Sequence, residues 1–374
     1  MSIMLLILGL ILFIGLVVVH EWGHFIMARR GGVTVEEFGI GFPPRAKILT
    51  KKNGTLYTLN WLPLGGFVKL AGENDADTTP GSFGVSPLST KIKIMSAGVF
   101  MNLLTAFVLL TFLALIGMPK LIDDQFTVAS DTHQIKREVL IGYVDTDSPA
   151  DLAGLKQRDR IVSIGKLNQS QRIDSADGLP DITKRFAGER VQVVYERSGE
   201  VLSADVTLKT TSEVEASKNT NNPQGYLGII PSEYVVQRST WSAPIVAVGF
   251  MKQITELTFK GLGNALAGLF QGDTAKASSQ VSGPVGIFVL LKDGSLLGYQ
   301  FMLVIIAIIS LTLAIMNVLP IPALDGGRLF ITLAFRAVNR PLRKQTEDLI
   351  HGGGFVALML LFVLITIVDV RRFF

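Results

Sequence analysis

Four long apolar blocks constrain this chain more than any other feature. The first runs from Ile3 to Val19 without a charge and continues through His20-Glu21-Trp22-Gly23-His24 to Ala28. A helix over Ile3–Met27 would be roughly 37 Å long at 1.5 Å per residue, enough to cross a bilayer. The second block is Ile94–Met118, the third Gly298–Leu319 and the fourth Phe355–Val368, which His351 and the three glycines after it can extend. Hydrocarbon admits backbone only where its polar groups are paired internally, so these blocks predict helices. The chain is 48% hydrophobic and 18% charged, which excludes a disordered chain. It has no cysteine, so disulfides and thiolate metal sites are excluded. Its 35 Lys+Arg against 31 Asp+Glu leave +4, too weak an excess to point to nucleic acid.

Two other apolar stretches, Pro244–Met251 and Val281–Leu291, are too short to cross. Ile245, Val248, Ile254, Leu257, Leu262, Leu266 and Leu269 recur at helical spacing, which predicts an amphipathic region along the membrane surface. The first block is not read as a cleaved signal peptide, because no Lys or Arg precedes it and no small-residue cleavage site follows. Segments 28–93 and 320–350 carry most of the flanking Lys and Arg, so the positive-inside rule puts both in the cytoplasm. Both termini and segment 119–297 then lie outside, with Arg371 and Arg372 counting against this.

Residues 119–235 read as a separate small domain. Val139–Val144 and Arg160–Ile164 have strand composition, Ser148–Gly154 has the signature of a short capped helix, and 190–195 with 201–208 flank a Ser-Gly hairpin turn. Residues 211–224 are polar and read as a loop. The run SPADLAGLKQRDRIVSI (148–164) resembles a PDZ domain of the kind found in bacterial envelope proteases. The alternative is a plain small β domain.

The chemistry lies in the first apolar block. His20 and His24 share one helix face at i and i+4, so both imidazoles can reach one metal ion. Glu21 lies one step round, where it can take a proton from an attacking water. This is the HExxH arrangement of zinc hydrolases. Three ionisable residues at membrane depth are costly, which favours a functional role over buried packing. A catalytic zinc takes three protein ligands, so a third is needed. Asp325 is the foremost candidate, in Asn317-Val-Leu-Pro-Ile-Pro-Ala-Leu-Asp-Gly-Gly327, where Pro320 and Pro322 break the helix and the glycines permit unusual backbone angles. His351 is the competing ligand; His133 belongs to the outer domain and cannot reach.

HEWGH in span one, NVLPIPALDGG at span three and an intervening PDZ-like segment together resemble the site-2 protease family of intramembrane zinc metalloproteases, whose bacterial branch cleaves anti-sigma factors. The resemblance implies Zn²⁺ held by His20, His24 and Asp325, Glu21 as catalytic base, and Asn317 as a residue that helps hold the substrate backbone. GVFMN (98–102), ending at Asn102, resembles a family motif, with Val99 where a proline is usual. SGPVGI (282–287) resembles a further family segment. The best-known enterobacterial members carry two PDZ domains, whereas this chain has room for one, so size-gating by a PDZ pair does not carry over. The implied setting is a bacterial inner membrane, with the PDZ domain extracytoplasmic. Implied partners are single-span membrane proteins such as anti-sigma factors, a peptide or protein ligand of the PDZ domain, and the lipid bilayer.

A substrate helix must unwind before it can be cut. Thr55–Trp61, Pro63–Gly66 and Phe67–Leu70 read as a β-hairpin with a glycine turn, and the family resemblance makes it a membrane-dipping hairpin whose edge strand pairs with extended substrate. Gly65, Gly66, Phe67, Asn102, Pro320 and Pro322 join Asn317 as expected substrate-binding residues. The expected fold is therefore a polytopic α-helical membrane protein with a membrane-associated β-hairpin and an extracytoplasmic PDZ-like α+β domain. Its segments are helix one (1–30), the hairpin-bearing loop (31–93), helix two (94–118), the PDZ domain (119–235), the amphipathic region (236–297), helix three (298–319), the LDGG loop (320–350) and helix four (351–371). The alternatives are a non-catalytic PDZ scaffold or chaperone derived from such a protease, and a transporter.

Overall fold

The computed structural model describes residues 2–166, 169–218, 223–273, 278, 281–340 and 342–374. In chain order the elements are α1 (Ser2–Arg30), β1 (Val35–Lys52), β2 (Thr55–Leu70), α2 (Leu88–Ile116), β3 (Met118–Pro119), β4 (His133–Val144), α3 (Pro149–Leu152), β5 (Arg160–Lys166), β6 (Gln169–Arg172), α4 (Leu179–Arg185), β7 (Arg190–Arg197), β8 (Glu200–Thr207), α5 (Thr211–Ser217), β9 (Ile229–Arg238), α6 (Ala243–Gln271), α7 (Pro284–Leu297), α8 (Tyr299–Val318), α9 (Asp325–Ala337) and α10 (Lys344–Phe373). They form two compact units, one of residues 1–118, 125–128 and 240–374, the other of 119–124 and 129–239.

In the first unit α1, α2, α8 and α10 are long and apolar enough to cross a membrane. Two span boundaries differ from expectation. Helix α2 starts at Leu88, not Ile94, because Lys91 is no loop charge: it is fully buried, paired with Asp75 and donating to Gly84 O at 2.7 Å. Helix α10 starts at Lys344, taking in Glu347, whose carboxylate accepts the Asp75 N–H at 2.8 Å. The 320–350 segment, read as a loop, contains α9. Helix α6 buries Val246, Ala247, Phe250 and Ile254 and leaves Ile245, Val248, Leu257, Leu266 and Leu269 exposed. Most of the expected apolar stripe is therefore the outward face.

The hairpin needs correction. Thr55–Trp61 and Phe67–Leu70 do not pair with each other across Gly65 and Gly66. Strands β1 and β2 are antiparallel about the Asn53-Gly54 turn, and residues 37–40 are paired twice, with 56–59 on one side and 66–69 on the other. The Asn-Gly turn supplies the reversal because both residues adopt positive φ. Phe25, Val35, Phe38, Leu70, Phe83, Ile94 and Met95 close the core where the sheet, the end of α1 and the start of α2 meet.

The second unit is a seven-stranded sheet ordered β3-β9-β4-β5-β7-β8, with β6 on β5, over a core that includes Val139, Ile141, Ile161, Ile164, Val191 and Val193. The expected strands and hairpin are present, and Ser148 Oγ caps α3 through the Asp151 N–H at 3.2 Å. Residues 211–217, read as loop, form α5. Thr210 and Glu213 make a reciprocal capping box, which the spacing T-x-x-E encodes. Residues 219–222 of that expected loop lie outside the described residues.

Candidate metal centre

Small residues let α1 and α2 meet closely at the HEWGH turn. A Cβ on Gly23 would lie 2.6 Å from the Ala97 carbonyl oxygen. A Cβ on Gly98 would lie 2.6 Å from His20 Nε2 and would strike His24 Nε2 as well. The glycine of GVFMN is thus the floor on which both imidazoles rest.

Asp325 enters from a different stretch. Helix α8 ends at Val318, Pro320 and Pro322 prevent its continuation, and Ala323 turns the chain at φ +75°. Asp325 then opens α9, where its charge suits a helix N-terminus. Gly326 and Gly327 do not have the unusual backbone angles expected of them. A side chain at either would run into the Val318 or Ile321 carbonyl, so they serve close approach.

The result is a tight triangle. His20 Nε2 and His24 Nε2 lie 3.1 and 3.2 Å from Asp325 Oδ2, and 3.2 Å from each other. Asp325 Oδ2 is buried and makes no hydrogen bond, although two ring nitrogens stand beside it. Tetrahedral zinc with bonds of 2.0–2.1 Å requires ligand separations of roughly 3.3 Å, so three nitrogen and oxygen donors spaced this way fit that ion. It is the one such group of His, Asp or Glu among the described residues.

The remaining imidazole nitrogens are engaged. His24 Nδ1 lies 2.7 Å from Ile94 O, which can accept its N–H and leave Nε2 as a lone pair toward the triangle. His20 Nδ1 lies 3.2 Å from the Asn102 amide. Asn102 is 1% exposed, and its backbone oxygen accepts from Ser310 Oγ at 2.8 Å. It therefore has no surface for substrate, and the expectation of substrate contact is replaced by a role behind His20. The Ile94 carbonyl has no signal in a sequence, because any residue carries it.

A polar cavity of about 110 Å³ opens beside the triangle, lined by Glu21, His24, Val68, Glu73, Asp325 and Arg328 among others. Glu21 therefore shares its space with two of the three converging residues. A Cβ on Gly66 would lie 3.3 Å from Glu21 Cγ, so the 66–69 strand runs directly past it. A second, apolar groove of about 350 Å³ is lined by Val99, Asn317, Pro320, Gly326, Leu329 and Phe330 among others. Asn317 Nδ2 donates to Leu313 O at 3.0 Å.

Three expected substrate residues lie elsewhere. Pro322 packs against Gly354 of α10, Phe67 sets its ring over Gly39, and Gly65, at φ +97°, faces the Phe42 ring. None of them lines either cavity. His351 Nδ1 accepts the Ala323 N–H at 3.4 Å and is not in the triangle; His133 is in β4 of the second unit.

Known proteins match this chain over nearly its whole length. The model of the family described as peptidase family M50 matches residues 8–361. A protein of Fusobacterium nucleatum is 30% identical over 369 residues, covering 98% of this chain and 97% of its own. The zinc metalloprotease RasP of Shouchella clausii is 27% identical over 442 residues, covering 96% and 97% respectively. That of Geobacillus kaustophilus is 27% identical over 446 residues, covering 98% and 97%.

Proposed function

The chain belongs to peptidase family M50, and from that premise we propose that it is a zinc-dependent endopeptidase cutting peptide bonds within or near the membrane segments of single-span proteins. The observation that carries the reading is the convergence of His20, His24 and Asp325, from opposite ends of the chain, next to Glu21. These three side chains would hold the ion. Bound zinc polarises a carbonyl and makes water acidic enough to attack at neutral pH.

Glu21 accepts the proton of the attacking water and returns it to the departing amine. The polar cavity supplies room for that water beside helices apolar enough to cross a membrane. Its volume of about 110 Å³ corresponds to a few water molecules.

An unwound substrate would lie along residues 66–69. They form the outer row of the sheet, paired on one side to 37–40, so their other side can accept an extended peptide. Gly66 keeps that row close to Glu21. The apolar groove would take a bulky apolar side chain next to the cut, with Asn317 and Ser96 as polar residues in its lining.

Anti-sigma-factor-like proteins fit as substrates because they present a single apolar span. Residues 119–235 are read as an extracytoplasmic PDZ domain that engages a peptide or protein ligand, and the setting as a bacterial inner membrane. The distribution of Lys and Arg between segments 28–93 and 320–350 supports that orientation.

The test is Glu21→Gln in the purified full chain. Zinc should remain at one per chain while cleavage of a tagged single-span protein disappears. Undiminished cleavage would remove Glu21 from its role.

A further inference from the structure

Arg328 lies three residues after Asp325 in α9, on the same helix face, and lines the cavity that holds Glu21. Its guanidinium is held from two sides. Nη2 donates to Glu73 O at 3.1 Å and lies 3.5 Å from Glu73 Oε2, and the group stands over the Phe83 ring at 5.7 Å. Glu73 Oε1 also accepts the Leu70 N–H at 2.9 Å, which ties this brace to the end of the 66–70 row. Arg328 Nε is buried and has no hydrogen-bond partner, and the contacts of the guanidinium with Glu73 use Nη2 alone.

A buried, unpaired N–H on a cation is costly, and a guanidinium needs only one or two of its donors to pin a loop. The Nη2 contact already does the pinning. A guanidinium on the wall of a polar cavity, locked in place and with donors to spare, suits an acceptor that arrives with the reaction. Attack on a peptide carbonyl moves a full negative charge onto its oxygen, which is where a preorganised cation does most for the rate.

We propose that Arg328 is a catalytic residue whose guanidinium donates to the carbonyl oxygen of the bond being cut. This rests on the hydrolytic reading of the site. The water oxygen bonds to the carbonyl carbon, its proton passes to Glu21, and the electron pair displaced from the C=O resides on the oxygen that Arg328 faces. The C=O then re-forms as the C–N bond breaks, and the proton held by Glu21 goes to the amine. Arg328 exchanges no proton.

The experiment uses the full chain in detergent micelles with a tagged single-span protein as probe, comparing wild type, Arg328→Gln and Arg328→Lys. Arg328→Gln should lower kcat about 10²–10³-fold with KM moved less than about threefold and zinc still bound. Arg328→Lys should recover part of the loss, since it restores charge without the fork. A phosphinic peptide, which copies the charged tetrahedral oxygen, should lose affinity for Arg328→Gln by the same factor as kcat/KM, whereas an uncleaved peptide of the same sequence should not. Wild-type kcat in Arg328→Gln overturns the assignment. So does a loss of zinc, or unfolding of both variants, either of which would mark Arg328 as structural. If zinc-loaded wild type leaves the probe intact, the hydrolytic reading itself fails and takes this assignment with it.

Discussion

Asn102 places its side-chain amide 3.2 Å from His20 Nδ1, on a buried face shared by α1 and α2. A metal on Nε2 requires the proton on Nδ1, so the amide must present its oxygen there. Turning the amide end for end does this and also gives Asn102 Oδ1, otherwise without a partner, its hydrogen bond. Asn102→Ala should therefore weaken zinc binding about 10–100-fold, and Asn102→Asp should keep most of it. Competition with a chelator measures both; unchanged affinity in Asn102→Ala would return the residue to a packing role.

Gly98→Ala should empty the site. Alanine favours a helix by about 1 kcal/mol over glycine, yet here its methyl would occupy the space of both imidazoles. Zinc content and cleavage should fall together. Gly263→Ala, where a Cβ meets nothing within 4 Å, is the matched control and should change neither.

Asp325→Asn should lower zinc retention, because the amide replaces an anionic ligand next to two neutral imidazoles. His351→Ala should leave metal content unchanged, since His351 bonds only to the Ala323 backbone among the contacts described. Metal analysis after dialysis separates the two, and the reverse pattern would exchange the roles of Asp325 and His351.

Asp369 carries a prediction about the membrane helices. This buried carboxylate in α10 accepts the N–H groups of Gly283 and Gly286 at 2.8 and 2.7 Å, capping α7 from outside that helix. Few other residues of α10 are buried, so the contact anchors it. Asp369→Ala should leave two buried donors unpaired, costing about 1–3 kcal/mol each. The expected sign is a lower Tm and faster amide exchange at 283–286.

In the second unit the Glu233 carboxylate is opposed by burial, but the Arg137 guanidinium and the Ala176 N–H hold it below its ordinary range. A depressed carboxylate stabilises the fold above its unfolded value and loses that contribution as pH falls through the folded one. Glu233→Gln should therefore lower the stability of this unit at pH 7 slightly, by about 1 kcal/mol or less for so exposed a pair, read as a small fall in Tm. The gap to wild type should shrink as pH drops below about 4.5. A gap that widens toward acid would contradict the pairing.

Much of this was legible in the residues themselves. The length of an apolar run is set by the thickness of hydrocarbon, so α1 and α8 appear within a residue or two of their expected bounds. The start of α2 was not legible, because Lys91 looks like a solvated charge until Asp75 and the Gly84 carbonyl surround it. The strand pairing failed for a related reason. Thr55–Trp61 and Phe67–Leu70 read correctly as extended, but alternation says nothing about which extended segment lies alongside, and both chose 37–40.

The sequence alone determined that His20 and His24 face the same way, because 3.6 residues per turn leaves no other outcome on a helix. It also determined where the chain can cross a bilayer. Only the tertiary structure decided that Asp325 Oδ2 comes within 3.2 Å of both rings, that Asn102 stands behind His20, and that Arg328 shares the cavity of Glu21. Those relations join residues 82 to 307 positions apart. They depend on missing side chains at Gly23, Gly98, Gly326 and Gly327, whose effect exists only when another backbone arrives to fill the space.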